Sequence, residues 1–269
     1  MNSFGDSMSS ELNLPFGRTQ ITVNEYSQLV ETERAEKLLV ANGVDNPAER
    51  VERFVGECPK MLEWLESHGR HFSWRNTVDS WRVYATEILL QRTRADAVEE
   101  IYEDFFEEFP TPEELHNSDE DTVRDLVRSL GFVNHRTRSL SEAAAMCVDK
   151  YGGNVPESLD ALKEPWRVGD YSARACLIFS FGQSQPLVDS NFARVVERLF
   201  NYEMPSQPHK SDTVYELLGA LVPNKPSIAR AFNFAILDIG ALVCTPDSPS
   251  CDECPLQEGC DFGREEVDI

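Results

Sequence analysis

The segment Pro165-Trp166-Arg167-Val168-Gly169-Asp170-Tyr171-Ser172-Ala173 decides how the rest of this chain is read. It joins two short helical stretches, 157–163 and 171–181. A hairpin of helices with Gly169 in its turn aims backbone N–H groups and a helix N-terminus at one point in space, which makes a phosphate site. By itself the pattern V-G-x-Y-S-A serves a plain helix–helix turn equally well. Outward from the turn, the helical period continues on both sides. Asp79-Ser80 caps a helix running to about Gln91, with Trp81, Tyr84, Ile88 and Leu89 on one side. Val98, Ile101, Tyr102, Phe105 and Phe106 recur at helical spacing over 95–108, and Pro110 stops that run. Ser118 with Asp121 three residues on predicts a capping box for a helix over 119–129, ended by Gly131. An Ala-rich helix over 136–150 ends at Gly152-Gly153. Further helices are predicted at about 190–200, 211–222 and 226–243, and helices over 22–70 break at Asn42-Gly43 and Asn46-Pro47.

Few segments alternate with period two, so the fold class is all-α. Residues 79–200 form the expected central helical domain. Residues 21–78 and 201–269 flank it and are expected to pack together as a second lobe. Residues 1–20 are rich in Ser and Gly without periodicity and are expected to be a disordered tail. The chain has no internal repeat, no G-x-G-x-x-G and no phosphate-binding P-loop.

Near the C-terminus stand Cys244, Cys251, Cys254 and Cys260, spaced C-x6-C-x2-C-x5-C. Such a run wraps a metal centre and is too tight for two comfortable disulfides. Four thiolates suit tetrahedral zinc or a cubane iron–sulfur cluster, and spacing alone leaves both open. The N-terminus has neither a basic n-region nor an apolar h-region. Seven cysteines in such a chain point to a reducing, cytoplasmic setting. No apolar run is long enough to span a membrane. The net charge of −22, from 47 acidic and 25 basic residues, repels DNA on average. Only six of the basic residues are Lys and nineteen are Arg. This balance is read as a halophilic adaptation, an acidic hydrated surface for a salt-rich cytoplasm, so net charge is a poor guide to the partner. Local charge says more: Arg75, Arg82, Arg92 and Arg94 fall in one stretch, and Arg124, Arg128, Arg136 and Arg138 in another.

Two acids stand out. Asp189 precedes a helix in Leu187-Val188-Asp189-Ser190-Asn191-Phe192-Ala193-Arg194-Val195. An Asp there serves first as an N-cap. Held at a helix start it is also expected to stay ionised, because the helix dipole lowers its pKa. A fixed carboxylate is what an oxocarbenium-like transition state needs beside it. Glu87 is a lone acid among apolar neighbours in Thr86-Glu87-Ile88-Leu89-Leu90-Gln91-Arg92-Thr93, which points to a buried, proton-bearing carboxyl.

Taken together, the hairpin, the V-D-x-N-F-x-R-V segment and the terminal cysteines resemble the helix-hairpin-helix (HhH-GPD) DNA glycosylases of the endonuclease III superfamily. The resemblance covers roughly residues 70–262. The cysteine spacing matches that family's [4Fe–4S] loop at every interval, which favours iron–sulfur over zinc. The resemblance implies a six-helix barrel domain with the helix-hairpin-helix over 79–200, and a cluster domain built from both chain ends. It also implies a monomer without a membrane, acting at the nucleoid on double-stranded DNA with a mismatched or damaged base. Such enzymes flip the nucleotide out, because the glycosidic bond cannot be reached inside the stack. Asp189 is implied to stabilise the positive charge developing on the sugar and to help position the nucleophile. Bifunctional members carry a Lys in the hairpin whose amine attacks C1′; Tyr171 stands there in this chain, and a phenol forms no Schiff base. A monofunctional enzyme that leaves the abasic site intact is therefore implied.

Tyr171 and Val-Asp-Ser-Asn-Phe are most similar to the thymine–guanine mismatch glycosylases of that superfamily, which implies removal of T or U opposite G. Glu87 matches an acid that this branch shares with the adenine-mismatch glycosylases, with an implied role as proton donor to the base or activator of water. Gln91 matches a residue pushed into the hole left by the flipped base, and Leu130-Gly131-Phe132-Val133-Asn134 resembles the second wedge loop. Arg92, Asn134, Arg136, Arg167, Val168 and Gly169 complete the implied DNA contacts. The hairpin departs from the usual L-P-G-V-G: Arg167 replaces a glycine that takes positive φ. Either the turn is reshaped, with Arg167 reaching phosphate by its side chain, or DNA binding is weakened. One alternative is an adenine glycosylase acting on A opposite G or 8-oxoguanine, whose members add a recognition domain where this chain has nine residues after Cys260. The other is a non-catalytic iron–sulfur DNA-binding protein, against which Glu87 and Asp189 together argue.

Overall fold

Side-chain caps decide where half of the described α-helices begin. The computed structural model describes residues 16–267, and among them the secondary structure is helical, with no strand. Thr22 and Glu25 cap each other at α1 (Val23–Ser27). α2 (Thr32–Ala41) stops at Asn42, and α3 (Pro47–His68) starts on its proline. Asp79 accepts the Arg82 N–H at 2.8 Å and opens α4 (Ser80–Leu89). α5 (Ala95–Glu108) has the bounds that its apolar spacing predicts, and α6 (Pro112–Asn117) follows Thr111. The next start differs from expectation. Asp119, not Ser118, caps α7 (Glu120–Leu126), accepting the Thr122 N–H at 2.9 Å, while the Ser118 hydroxyl turns back to the Leu115 carbonyl at 2.8 Å. A carboxylate is the stronger acceptor of the two. α8 (Val133–Tyr151) ends at Gly152, whose φ of 60° closes the helix. α9 (Leu159–Leu162), α10 (Asp170–Phe179), α11 (Ser190–Phe200), α12 (Asp212–Leu221), α13 (Pro226–Leu242) and α14 (Asp261–Val267) follow. No described helix is long and apolar enough to cross a membrane.

The chain divides into two compact units. The central unit runs from His71 to Phe181 and holds α4 to α10; the terminal unit joins the described residues up to Arg70 with those from Gly182 onward. Both boundaries differ from the expected 79 and 200. Ser73 ties the stretch before α4 to α5, its N–H and hydroxyl donating to Glu99 at 3.0 and 2.7 Å. α11 packs on α13 and α14, so its apolar face belongs with the terminal unit.

The central core gathers Trp81, Tyr84, Ile88, Val98, Phe105 and Leu140. Its buried polar tips are paired: Trp81 Nε1 donates to the Phe109 carbonyl at 3.0 Å and the Tyr84 hydroxyl to the Leu162 carbonyl at 2.6 Å. In the terminal unit, fully buried Asp238 on α13 accepts the Arg70 backbone N–H at 2.8 Å and its Nε at 2.7 Å, which joins the two halves of the sequence. Phe16 is buried edge-on to Phe234 with ring centres 6.3 Å apart, and the Arg18 N–H donates to the Ser227 carbonyl at 3.1 Å. The expected disordered tail therefore does not extend through residues 16–20, which pack on α13; residues 1–15 lie outside the described residues.

Phe105 is fully buried and meets Phe106 and Phe109 edge-on at 5.0 and 5.3 Å. Phe105→Ala is expected to destabilise the protein by about 3–5 kcal/mol, read from its denaturant midpoint at unchanged m-value. A loss below about 1 kcal/mol would contradict this core assignment.

Candidate functional site

Three segments of the central unit surround a cleft of about 540 Å³: the end of α4 (Ile88, Gln91, Arg92), the start of α8 (Phe132, His135, Arg136) and the turn into α10 (Arg167, Gly169, Tyr171, Ser172). None of these residues is acidic, although the chain carries a net charge of −22. No side chain caps the N-terminus of α10. Arginines, uncapped helix N–H groups and the absence of carboxylates together give a surface suited to a polyanion.

The backbone around this cleft is strained. Arg92, Phe132 and Arg167 hold φ angles of 55°, 47° and 59°, and all three line it. The other described non-glycine residues at positive φ are Asn46 and Asn201, a type that tolerates this region. For Arg and Phe the cost is of order 1 kcal/mol or more each, and such residues concentrate at functional sites. Arg136 braces two of them. It is 3% exposed; one Nη donates to the Gln91 carbonyl at 2.7 Å and the other to the Gly131 carbonyl. Those carbonyls stand directly before Arg92 and Phe132. Arg136, expected on DNA, is thus committed to the backbone.

The turn is not reshaped at Arg167: it keeps a left-handed residue there, and the guanidinium lies over the Trp166 ring at 4.7 Å. The Gln91 amide donates to the Arg167 carbonyl at 3.3 Å, so the α4 end and the hairpin are joined. Val168, expected at DNA, is 5% exposed, and its N–H is taken by the Pro165 carbonyl at 3.1 Å. Gly169 is exposed and lines the cleft. Asn134 accepts from Arg124 outside the cleft lining, and Phe132, 52% exposed, stands in the cleft instead. Phe132, His135 and Ser172 escaped the sequence reading as individual residues. For Phe132 the signal was an aromatic directly after the loop glycine Gly131.

Glu87 is 7% exposed on α4, and its backbone carbonyl accepts the Ser172 hydroxyl at 3.4 Å. Burial pushes its carboxyl up to about 8, opposed by the nearby Arg75 charge, so it carries a proton at neutral pH. In the terminal unit Asp189 caps α11, accepting the Phe192 N–H at 2.7 Å and the Asn191 amide at 3.3 Å. Its pKa moves opposite to expectation: burial raises it, and the Phe192 and Asn191 donors and Arg194 only partly pull it back. Cys244, Cys251, Cys254 and Cys260 are free thiols lining one hollow with Arg198 and Phe262. The Arg198 guanidinium donates to Cys244 Sγ at 3.2 Å and the Gly263 N–H to Cys260 Sγ at 3.4 Å. Among the described residues no three His, Cys, Asp or Glu side chains are arranged to hold a single metal ion.

Residues 85–220 match the HhH-GPD superfamily of base excision DNA repair proteins. The thymine-DNA glycosylase of Aeropyrum pernix is 36% identical over 203 residues, 75% of this chain and 91% of that protein. The thymine/uracil-DNA glycosylase of Pyrobaculum aerophilum is 33% identical over 198 residues, 73% of this chain and 86% of that protein. The solved structure of a thermostable thymine-DNA glycosylase superposes with a TM-score of 0.71 at 29% identity, covering 87% of this chain and 99% of that one.

Folded Glu87 keeps its proton to about pH 8, whereas the ordinary carboxyl value is 4.5. Between those values the native state binds the extra proton, so stability is expected to fall as pH rises across that window and to level off above it. Glu87→Gln should flatten this slope in denaturant titrations from pH 5 to pH 9. An unchanged slope would remove Glu87 as its source.

Proposed function

The chain belongs to the HhH-GPD superfamily of base excision DNA repair proteins, and we propose that it is a monofunctional DNA glycosylase removing thymine or uracil opposite guanine. It is a DNA glycosylase of base excision repair. The absence of a lyase step is supported by one observation above others: no amine lines the cleft. Tyr171 stands at the hairpin, and the two lysines of the central unit, Lys150 and Lys163, are ion-paired to Glu164 and Asp170. Preference for thymine or uracil is supported by the names of the relatives, whose lengths this chain covers nearly in full.

In this reading Arg92, Arg167 and the first-turn N–H groups of α10 hold backbone phosphates. Gln91 and Phe132 enter the space that the flipped nucleotide leaves. The base departs with the electron pair of the glycosidic bond and takes its proton from Glu87. Asp189, its ionised form favoured by the Phe192 and Asn191 donors, offsets the cationic character of the sugar. Water then adds at C1′ and passes its proton to the Glu87 carboxylate, which restores the starting carboxyl. With no Schiff base formed, the strand stays intact at an abasic site.

The four cysteines fit a [4Fe–4S] cluster. Four thiols line one hollow, four cysteine thiolates are the ligand set of such a cluster, and the Arg198 guanidinium offsets thiolate charge at Cys244. Bound there, the cluster would cross-link the end of α13 to the chain's last residues within a lobe built from both chain ends.

Two outcomes follow. In high salt, duplexes carrying G·T, G·U or 8-oxoguanine·A are incubated with the protein and split with and without hot alkali. Scission is expected only after alkali, on G·T or G·U, and Asp189→Asn should slow it by at least about a hundredfold. Cutting without alkali would exclude the monofunctional mechanism, and preference for the adenine pair would favour the adenine-specific activity. Anaerobically purified protein is expected to carry about four irons per chain and a broad visible absorbance that Cys251→Ala abolishes. A colourless protein with one zinc would overturn the cluster.

A further inference from the structure

α8 turns one face toward the hairpin. His135, Arg138, Ser139 and Glu142 recur at helical spacing, and all four engage Trp166. The Ser139 hydroxyl donates to the Trp166 carbonyl at 2.7 Å, and Glu142 accepts the Trp166 N–H at 2.7 Å. The Arg138 guanidinium lies 4.6 Å from the indole centre, and the His135 ring centre lies 4.9 Å from it. Arg138 also donates to Glu142 at 2.7 Å, which fixes the clamp. Arg167 covers the same indole at 4.7 Å. The row of rings then continues into the cleft: His135 stacks on Phe132 at 6.4 Å with 24° between planes, and the Arg92 guanidinium lies 6.0 Å from the Phe132 ring.

Phe132 needs such support. It is 52% exposed at a φ of 47°, so neither burial nor its own backbone preference keeps it there. We propose that Trp166 and His135 are positioning residues: Trp166 fixes His135, and His135 fixes Phe132, so that the wedge is set before DNA arrives. The inference rests on the reading of Phe132 as a wedge. It gives the unusual Trp166-Arg167 pair a use, because a small residue at 166 would leave His135 without the ring it packs against. A preset ring need not be ordered during base flipping, which speeds excision. Affinity for matched DNA depends on phosphate contacts that these rings do not make.

The test is a double-mutant cycle on single-turnover excision from the best mismatched duplex, with the Kd for the matched duplex measured beside it. Phe132→Ala and His135→Ala are each expected to slow excision about tenfold, a larger factor than any accompanying change in matched-duplex Kd. His135→Phe and Trp166→Phe, which restore a ring, should recover most of the rate that His135→Ala and Trp166→Leu lose. In the Phe132→Ala background, His135→Ala should add nothing. Multiplying losses in the double variant, or equal losses for His135→Phe and His135→Ala, would overturn the proposal while leaving the glycosylase intact. A wild-type protein that excises no base would instead refute the function proposed above, and this inference with it.

Discussion

The functional face of the central unit depends on one buried cation. Arg136 spans from α8 to the carbonyls before Arg92 and before Phe132, holding the exits of two separate segments in the left-handed region. An unpaired buried guanidinium would be prohibitive, yet two carbonyl acceptors in a fork geometry offset much of its desolvation. A lysine, as a single flexible point charge, lacks the planar fork for this task. Two strained turns at roughly 1–3 kcal/mol each are comparable to what such charged hydrogen bonds return. The brace and the strain are thus of similar size.

The net charge of −22 and the acid-free cleft are compatible because they act over different distances. At about 0.1 M salt a charge is felt over roughly 10 Å, and at about 1 M over roughly 3 Å. In concentrated salt the acidic residues elsewhere are invisible to a phosphate at Arg92 or Arg167. Only groups in direct contact with a phosphate remain relevant, and the cleft lining holds no carboxylate among them. Counterion release also contributes less at high salt. The ring contacts from Trp166 through His135 to Phe132 are far less sensitive to salt than ion pairing.

The features legible in the sequence were those with a local cause. α5 follows from its apolar spacing, α4 from the Asp79 cap, and the burial of Glu87 from Ile88, Leu89 and Leu90 beside it. The hairpin turn was legible because it is short and carries its own glycine, and Gly169 and Tyr171 line the cleft. What escaped had a remote cause. Ser118 and Asp119 are adjacent acceptors, and their choice depends on where α6 leaves Ser118. Nothing in the residues around 136 distinguishes a buried brace from an exposed phosphate ligand, since the carbonyls it serves include Gln91, 45 positions away. The domain boundary after Phe181 depends on α11 meeting α13, a long-range contact. At Asp189 the local dipole argument predicted a lowered pKa, and burial by distant residues outweighed it.

The hairpin shows how a costly residue can be nearly neutral in its setting. Arginine at a φ of 59° costs about 1–2 kcal/mol against glycine. Part of that is offset because a glycine loses more conformational freedom on folding, an effect worth roughly 0.4–1 kcal/mol. The guanidinium of Arg167 over the Trp166 indole contributes about 0.5–1 kcal/mol at a half-exposed site. These magnitudes cancel to within their size, so the turn retains the left-handed geometry that exposes Gly169 and the start of α10. What changes is the chemistry at its rim. A glycine would offer only a close backbone approach, whereas Arg167 adds a fixed positive charge and Trp166 adds a ring anchored to α8. Arg167 thereby places a positive charge on the rim of an acid-free cleft in a chain whose net charge is −22.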